Sequence, residues 1–235
     1  MKIVLKFLFS FSILFSLGAN EAIDWRNVSP PSNFTESKYL LIKLYQKYPR
    51  TIYCDCHFNQ NGEIDRSSTN HLPAEISNDM LDLEWEHIVP ASALGRSMDC
   101  WVGDQCPLPS VKPGRACCQK SSKKFQLREA NLYNLVPITK YANRKRSNFK
   151  PAVVHDKSRA TRVCKLWIDK NKRIFEPDDD LKGFIARTYL KIHHIYQFDM
   201  TPNEKRLYES WSALFPPSLW ELEREAILNQ IYNFE

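Results

Sequence analysis

Glu86 and His87 sit side by side in EWEHIVPA (Glu84 to Ala91), and an asparagine-rich, basic segment, NLYNLVPITKYANRKRSNF (Asn131 to Phe149), follows downstream. A neutral imidazole can take a proton from water, and a neighbouring carboxylate can hold a divalent cation. An amide oxygen further along can serve as a second hard ligand. These residue types are the parts needed for metal-assisted hydrolysis of a phosphodiester. LEWEHIVP (Leu83 to Pro90) is short, rich in apolar residues and closed by proline, which predicts a strand running into a turn. Successive strand side chains face opposite sides, so Glu86 and His87 can serve one site only if the strand ends, twists or bulges there. Pro90 supplies a reason for such a break. The competing reading of the motif alone is a strand-end ion pair beside a buried histidine.

The surroundings favour an anionic substrate. Lys120, Lys123, Lys124 and Arg128 precede the asparagine segment, and Lys140, Arg144, Lys145 and Arg146 lie within it. Clustered cations attract phosphates at long range and make binding salt-dependent. Lys140, Arg144, Lys145, Arg146 and Asn148 are therefore the expected nucleic-acid contacts. An isolated basic cluster could equally be a solvated face; its position beside a candidate catalytic site favours the substrate.

The chain opens with Lys2 and Lys6, an apolar run from Phe7 to Leu17, and the small residues Gly18 and Ala19, the layout of an export signal over residues 1–18, cleaved between about 18 and 22. The run is too short for a stable membrane span, and no later stretch could cross a bilayer. An uncleaved N-terminal anchor is the alternative. Loss of Lys2 and Lys6 leaves 31 basic against 27 acidic residues, a net charge of +4. The expected location is the periplasm or the extracellular medium. There the seven cysteines, Cys54, Cys56, Cys100, Cys106, Cys117, Cys118 and Cys164, read as disulfides bracing long loops, with at least one left over. Cys117 and Cys118 are expected to bond elsewhere rather than to each other. No pair of Cys-x-x-Cys knuckles supports structural zinc.

Residues 23–235 show no repeat, low-complexity tract or long linker, so one domain is expected. Tyr39, Leu40, Leu44 and Tyr48 recur at helical spacing over residues 35–48, up to Pro49, and TIYCDC (Thr51 to Cys56) reads as a strand. In the C-terminal third, Asp178 to Asp180 open a segment with Leu181, Ile185, Thr188, Ile192 and Ile195 on one face. Thr201 with Glu204, and Ser218 with Glu221, fit capping boxes of two further helices. His193 and His194 are adjacent on a helix, point in different directions, and receive no function.

EWEHIVPA, the Cys100-Trp101 pair, GRACC (Gly114 to Cys118), EANLYNLVP (Glu129 to Pro137) and NRKRSNF (Asn143 to Phe149) together resemble the bacterial endonuclease I family. That family comprises secreted or periplasmic nucleases of the His-Me finger, or ββα-metal, superfamily. GFIARTY (Gly183 to Tyr189) resembles it too, so the likeness runs from about Tyr53 into the C-terminal helices. The resemblance implies an α+β, mainly helical, disulfide-braced single domain with a ββα-metal core.

It also implies roles. His87 matches the general base. Glu86 and Asn143 match the ligands of a single divalent cation, usually Mg2+, with Mn2+ or Ca2+ as substitutes. Asn134 matches a structural brace of the finger. Arg115 matches the arginine on the scissile phosphate, and Glu129 an acid that orients His87. Asn131-Leu132-Tyr133-Asn134-Leu135 stands where the family commonly has Asp-Leu-His-Asn-Leu, and Asn143-Arg144-Lys145-Arg146 where it commonly has Asn-Gly-Asp-Arg. These changes put metal affinity in question and add phosphate-binding charge. The expected protein is a monomeric, metal-dependent endonuclease of low sequence specificity acting on DNA, with RNA as a second candidate. The alternative is a catalytically inactive secreted nucleic-acid-binding or adhesion protein on the same scaffold. No Gly-x-Ser-x-Gly elbow or His-Glu-x-x-His helix supports another hydrolase.

Overall fold

Asn33 opens the first helix by accepting from the Glu36 backbone N–H, while the Glu36 carboxylate reaches back to the N–H and hydroxyl of Ser32. The computed structural model describes residues 23–69, 71–104 and 106–233. The expected leader, residues 1–18, and its cleavage region lie outside the described residues. Helix α1 runs Phe34–Leu44 and turns Ser37, Leu41 and Leu44 inward. It ends short of Pro49, and Tyr39, placed by its spacing on the buried stripe, is 70% exposed.

The strand expected over Thr51 to Cys56 is a turn instead. The Thr51 hydroxyl accepts from the Cys56 N–H at 2.9 Å, the Asp55 N–H donates to the Thr51 carbonyl, and Asp55 takes φ +55°. A β-rich composition is overridden here by side-chain-to-backbone bonding that favours a turn. The turn delivers Cys54 to Cys164, and the Ile52 N–H donates to the Pro137 carbonyl, so the segment packs against the site's own strands.

Strand β1 (Leu83–His87) pairs antiparallel with β2 (Leu135–Thr139), Leu83 opposite Thr139 and His87 opposite Leu135. Between them, among the described residues, lie four short helices, α2 (Ala91–Gly95), α3 (Asp99–Val102), α4 (Arg115–Ser121) and α5 (Lys123–Glu129), and a 3-10 turn over Leu132–Asn134. Helix α6 (Lys140–Arg146) follows β2 directly, with Thr139 capping it through the Ala142 N–H. Spatially, β1, β2 and α6 form a ββα unit interrupted by the α2 to α5 excursion. Cys100–Cys118 and Cys106–Cys117 close that excursion, Cys54–Cys164 ties the neighbouring loops, and Cys56 is free and buried. The odd count and the separate partners of Cys117 and Cys118 agree with the sequence reading.

A four-stranded sheet not anticipated from sequence follows: β3 (Lys150–Pro151), β4 (Thr161–Val163), β5 (Leu166–Asp169) and β6 (Ile174–Pro177), in the order β3-β6-β5-β4. Strands of two to four residues are too short for period-two alternation to register. Helices α7 (Asp179–Tyr196), α8 (Pro202–Leu214) and α9 (Leu219–Tyr232) complete the fold. Thr201 and Glu204 form the full reciprocal capping box. Ser218 caps α9, but Glu221 turns away to a bidentate ion pair with Arg187 at 2.6 and 2.7 Å, which joins α7 to α9. Arg224 of α9 is buried and bridges the Tyr45 hydroxyl to the carbonyls of Leu132, Tyr133 and Leu135, which fixes the turn that carries Asn134. The whole is a single α+β domain, as the sequence implied.

Candidate active site

Strand β1 places Glu84 and Glu86 two residues apart and therefore on one face. The pairing stops at His87, where the backbone changes course, and three side-chain groups hold that course. Asn134, fully buried, accepts from the Val89 N–H at 2.7 Å and donates to the Val89 carbonyl at 2.9 Å. Arg146 donates to the carbonyls of His87 and Ile88. Pro90 then leads into α2. The break lets His87 line the same cleft as Glu86.

The cleft encloses about 720 Å³ and is lined by residues of α1, β1, α2, α4 and α6, including Lys38, Glu84, Glu86, His87, Arg115 and Asn143. His87 Nε2 donates to the Glu129 backbone carbonyl at 2.8 Å. A carbonyl can only accept, so Nε2 carries the proton of the neutral ring and Nδ1 is left as a proton acceptor. Burial, and then the positive charge of Arg115, drive the imidazole down to about 3, so it is neutral at physiological pH. The Phe34 ring packs against it, with centroids 4.9 Å apart.

Glu129 meets the imidazole through its main-chain carbonyl. Its carboxylate, 1% exposed, accepts from Arg115 Nε at 2.6 Å and from Gln119 Nε2 at 2.9 and 3.0 Å. Arg115, the first residue of α4, lines the cleft with its Nε tied to Glu129 and its guanidinium over the Phe34 ring; Gly114, at φ +127°, makes the turn before it.

Glu86 is 3% exposed, and its Oε1 lies 2.8 Å from Arg146 Nη1 without accepting an angularly satisfactory hydrogen bond. Burial raises its carboxyl to about 7, Arg146 pulls it back down, and Glu84 pushes it further up. Asn143 of α6 donates through Nδ2 to Glu84 Oε2 at 2.6 Å. Since a carboxylate can only accept, that contact fixes which end of the amide is nitrogen and leaves Oδ1 available. Among the described residues no group of three or more His, Cys, Asp or Glu is arranged around a common metal position. The buried Glu86 carboxylate, ion-paired through Oε1 with Arg146, and one oriented amide oxygen nevertheless make a hard, oxygen-only pair. That pair suits a cation such as Mg2+ that retains most of its water.

The expected nucleic-acid contacts divide. Lys140 is paired with Asp79 and Asp82, and Arg144 with Glu84. Lys145 lies over the Tyr141 ring and has no acidic partner among the described residues. Asn148 lines the cleft and accepts from Arg173. Arg146, grouped by sequence with these cations, is 1% exposed and directs its guanidinium inward. Arg146 still contributes to the cleft lining, where its guanidinium is tied to Glu86 and to the His87 and Ile88 carbonyls. Sequence reasoning missed Glu84, Gln119, Phe34 and Lys38. Only Glu84 carried a signal, its two-residue offset from Glu86.

The ββα unit thus brings a neutral imidazole and a buried carboxylate into one cleft that also holds Lys38 and Arg115, an arrangement suited to hydrolysis of an anionic substrate. The chain belongs to the endonuclease I family, whose model matches residues 32–234. It is 31% identical over 202 residues to a periplasmic deoxyribonuclease of Aeromonas hydrophila, covering 84% of this chain and 81% of that protein. An extracellular deoxyribonuclease of the same species matches at 31% over 84% of each chain. Endonuclease-1 of Buchnera aphidicola subsp. Acyrthosiphon pisum is 30% identical, covering 85% of this chain and 77% of its own.

Proposed function

We propose that this chain is an extracytoplasmic, divalent-cation-dependent deoxyribonuclease that cuts with little sequence preference. The observation that carries the reading is the imidazole of His87, held neutral with its Nε2 proton on the Glu129 carbonyl while Nδ1 stays free, one residue from the buried carboxylate of Glu86. The relatives named as periplasmic and extracellular deoxyribonucleases support DNA as substrate and a site of action outside the cytoplasm. No described helix is long and apolar enough to cross a membrane.

In this mechanism His87 Nδ1 takes the proton of the attacking water. The Glu129 carbonyl fixes the ring's tautomer and stabilises the imidazolium that forms. Arg115, steadied at Nε by Glu129, offers its terminal nitrogens to two oxygens of the scissile phosphate. Glu86 and Asn143 Oδ1 would hold the cation, with Glu84 keeping the Asn143 amide correctly turned. When bound, Mg2+, or Mn2+ or Ca2+ in its place, supplies Lewis-acid charge to the phosphate and its departing oxygen. Phe34 covers one side of the imidazole, limiting water access. Lys38 and Lys145 draw the phosphodiester backbone by charge, a contact that carries no sequence information. RNA presents the same phosphate chemistry and is a second substrate, and the chain acts as a monomer.

Supercoiled plasmid incubated with purified protein and Mg2+ should become nicked and then linear, with cleavage abolished by a chelator and restored by excess cation. Plasmid binding without nicking at any divalent-cation concentration would replace this reading with that of an inactive binding protein.

A further inference from the structure

Arg146 is a full positive charge in the protein interior, 1% exposed, at the end of α6. Its side chain meets four acceptors: Nη1 lies 2.8 Å from Glu86 Oε1, 3.2 Å from the His87 carbonyl and 3.1 Å from the Ser147 carbonyl, and Nη2 donates to the Ile88 carbonyl. The guanidinium also stacks over the Phe175 ring at 5.1 Å. Two of the carbonyls, those of His87 and Ile88, belong to the residues at which β1 stops pairing with β2 and the chain diverges toward α2. Regular strand geometry would aim Glu86 and His87 at opposite sides.

We propose that Arg146 is a positioning residue for the hydrolytic reaction. Its one planar fork grips the Glu86 carboxylate and the His87 and Ile88 carbonyls, fixing the angle at which carboxylate and imidazole enter a common cleft. The inference rests on the assignment of Glu86 and His87 to the reaction. Arg146 acts through them and touches no substrate. Its planarity matters, because a guanidinium reaches acceptors lying in different directions from two terminal nitrogens, whereas an ammonium concentrates its donors on one. Burial sets Arg146 apart from Arg144 and Lys145, the more accessible cations of the same helix. The same helix face carries Asn143 three residues earlier, so one short helix supplies both the amide oxygen and the cation that steadies the opposite carboxylate.

The test compares wild type with Arg146→Lys, which retains the charge, and Arg146→Gln, which retains polarity alone. Three quantities are read: the Mn2+ concentration giving half-maximal thermal stabilisation without DNA, the single-turnover plasmid cleavage rate at saturating Mg2+, and the DNA affinity with its salt dependence. The positioning role predicts that folded Arg146→Lys needs about tenfold more Mn2+ and cleaves about tenfold more slowly. It also predicts that DNA affinity in Arg146→Gln stays within twofold, with an unchanged salt slope.

A salt slope reduced by about one contact in Arg146→Gln, with metal response and turnover intact, would make Arg146 a phosphate contact after all and overturn the proposal. So would a lysine variant equal to wild type in all three readings, or one that leaves no folded protein, which would mark a purely structural cation. Wild-type protein indifferent to metal in both assays would instead refute the underlying site assignment.

Discussion

Asn134→Ala removes the one side chain that bonds both main-chain groups of Val89, and the energetic consequence can be worked from the geometry. Asn134 is fully buried and its bonds are 2.7 and 2.9 Å long, so alanine leaves an N–H and a carbonyl without partners in a dry environment. Each unmet group costs about 1–3 kcal/mol, which puts the loss at roughly 2–6 kcal/mol. At ~2–4 °C per kcal/mol for a chain of this size, a loss near the middle of that range lowers the melting temperature by about 8–16 °C. Guanidinium unfolding at pH 7 measures the free energy, and Mn2+ titration of the folded variant at low temperature measures the metal response. The expected result is a large fall in stability, with metal half-saturation within about threefold of wild type. A stability loss below about 1 kcal/mol together with a large weakening of metal binding would refute the reasoning and exchange the roles of Asn134 and Asn143.

Asn143→Ala should do the reverse, raising metal half-saturation about tenfold while changing stability by less than about 1.5 kcal/mol, since it forfeits only a partly exposed bond to Glu84. Glu84→Ala should raise the metal requirement by about twofold to fivefold through loss of the Asn143 orientation; an unchanged cation titration would remove Glu84 from the site. His87 has an ordinary value of 6.5 and a folded value of about 3. The unfolded chain therefore binds the extra proton in that window, and the stability gained by keeping the ring neutral is complete above about pH 6.5 and drains as pH falls toward 3. Denaturant unfolding from pH 7 to 4 should decline more steeply in wild type than in His87→Ala, by up to about 1.4 kcal/mol per pH unit. Glu86, raised to about 7, loses stability in the opposite direction as pH rises through 4.5 to 7. Comparison with the histidine variant separates the two, and parallel curves would show that the imidazole is not held neutral by burial.

The local parts of this molecule were legible, and the parts set by distant contacts were not. Pro90 marked the end of β1, and Thr201 with Glu204 marked the start of α8, because the physics of each involves neighbours in the chain. Thr51 to Cys56 carries strand-forming residues, yet a hydroxyl and the reach to Cys164 fold it into a turn. Arg146 looks in sequence like the more accessible Arg144 and Lys145 because a count of charges contains no information on burial. Phe34 and Lys38 join the cleft from a helix far away in sequence, with no spacing to announce them. Glu129 was tied to His87 from sequence, but the atom that touches the ring is a backbone oxygen, invisible to reasoning about side-chain types.

The central claim is that His87 removes the proton from the attacking water in a site whose cation is held by other residues. The most direct test is single-turnover plasmid cleavage by His87→Ala at saturating Mg2+, with Mn2+-induced thermal stabilisation measured on the same preparation. The account predicts cleavage reduced by at least about 100-fold, a typical general-base contribution, with metal stabilisation close to wild type. Cleavage within a few-fold of wild type by a folded, metal-responsive variant would contradict it.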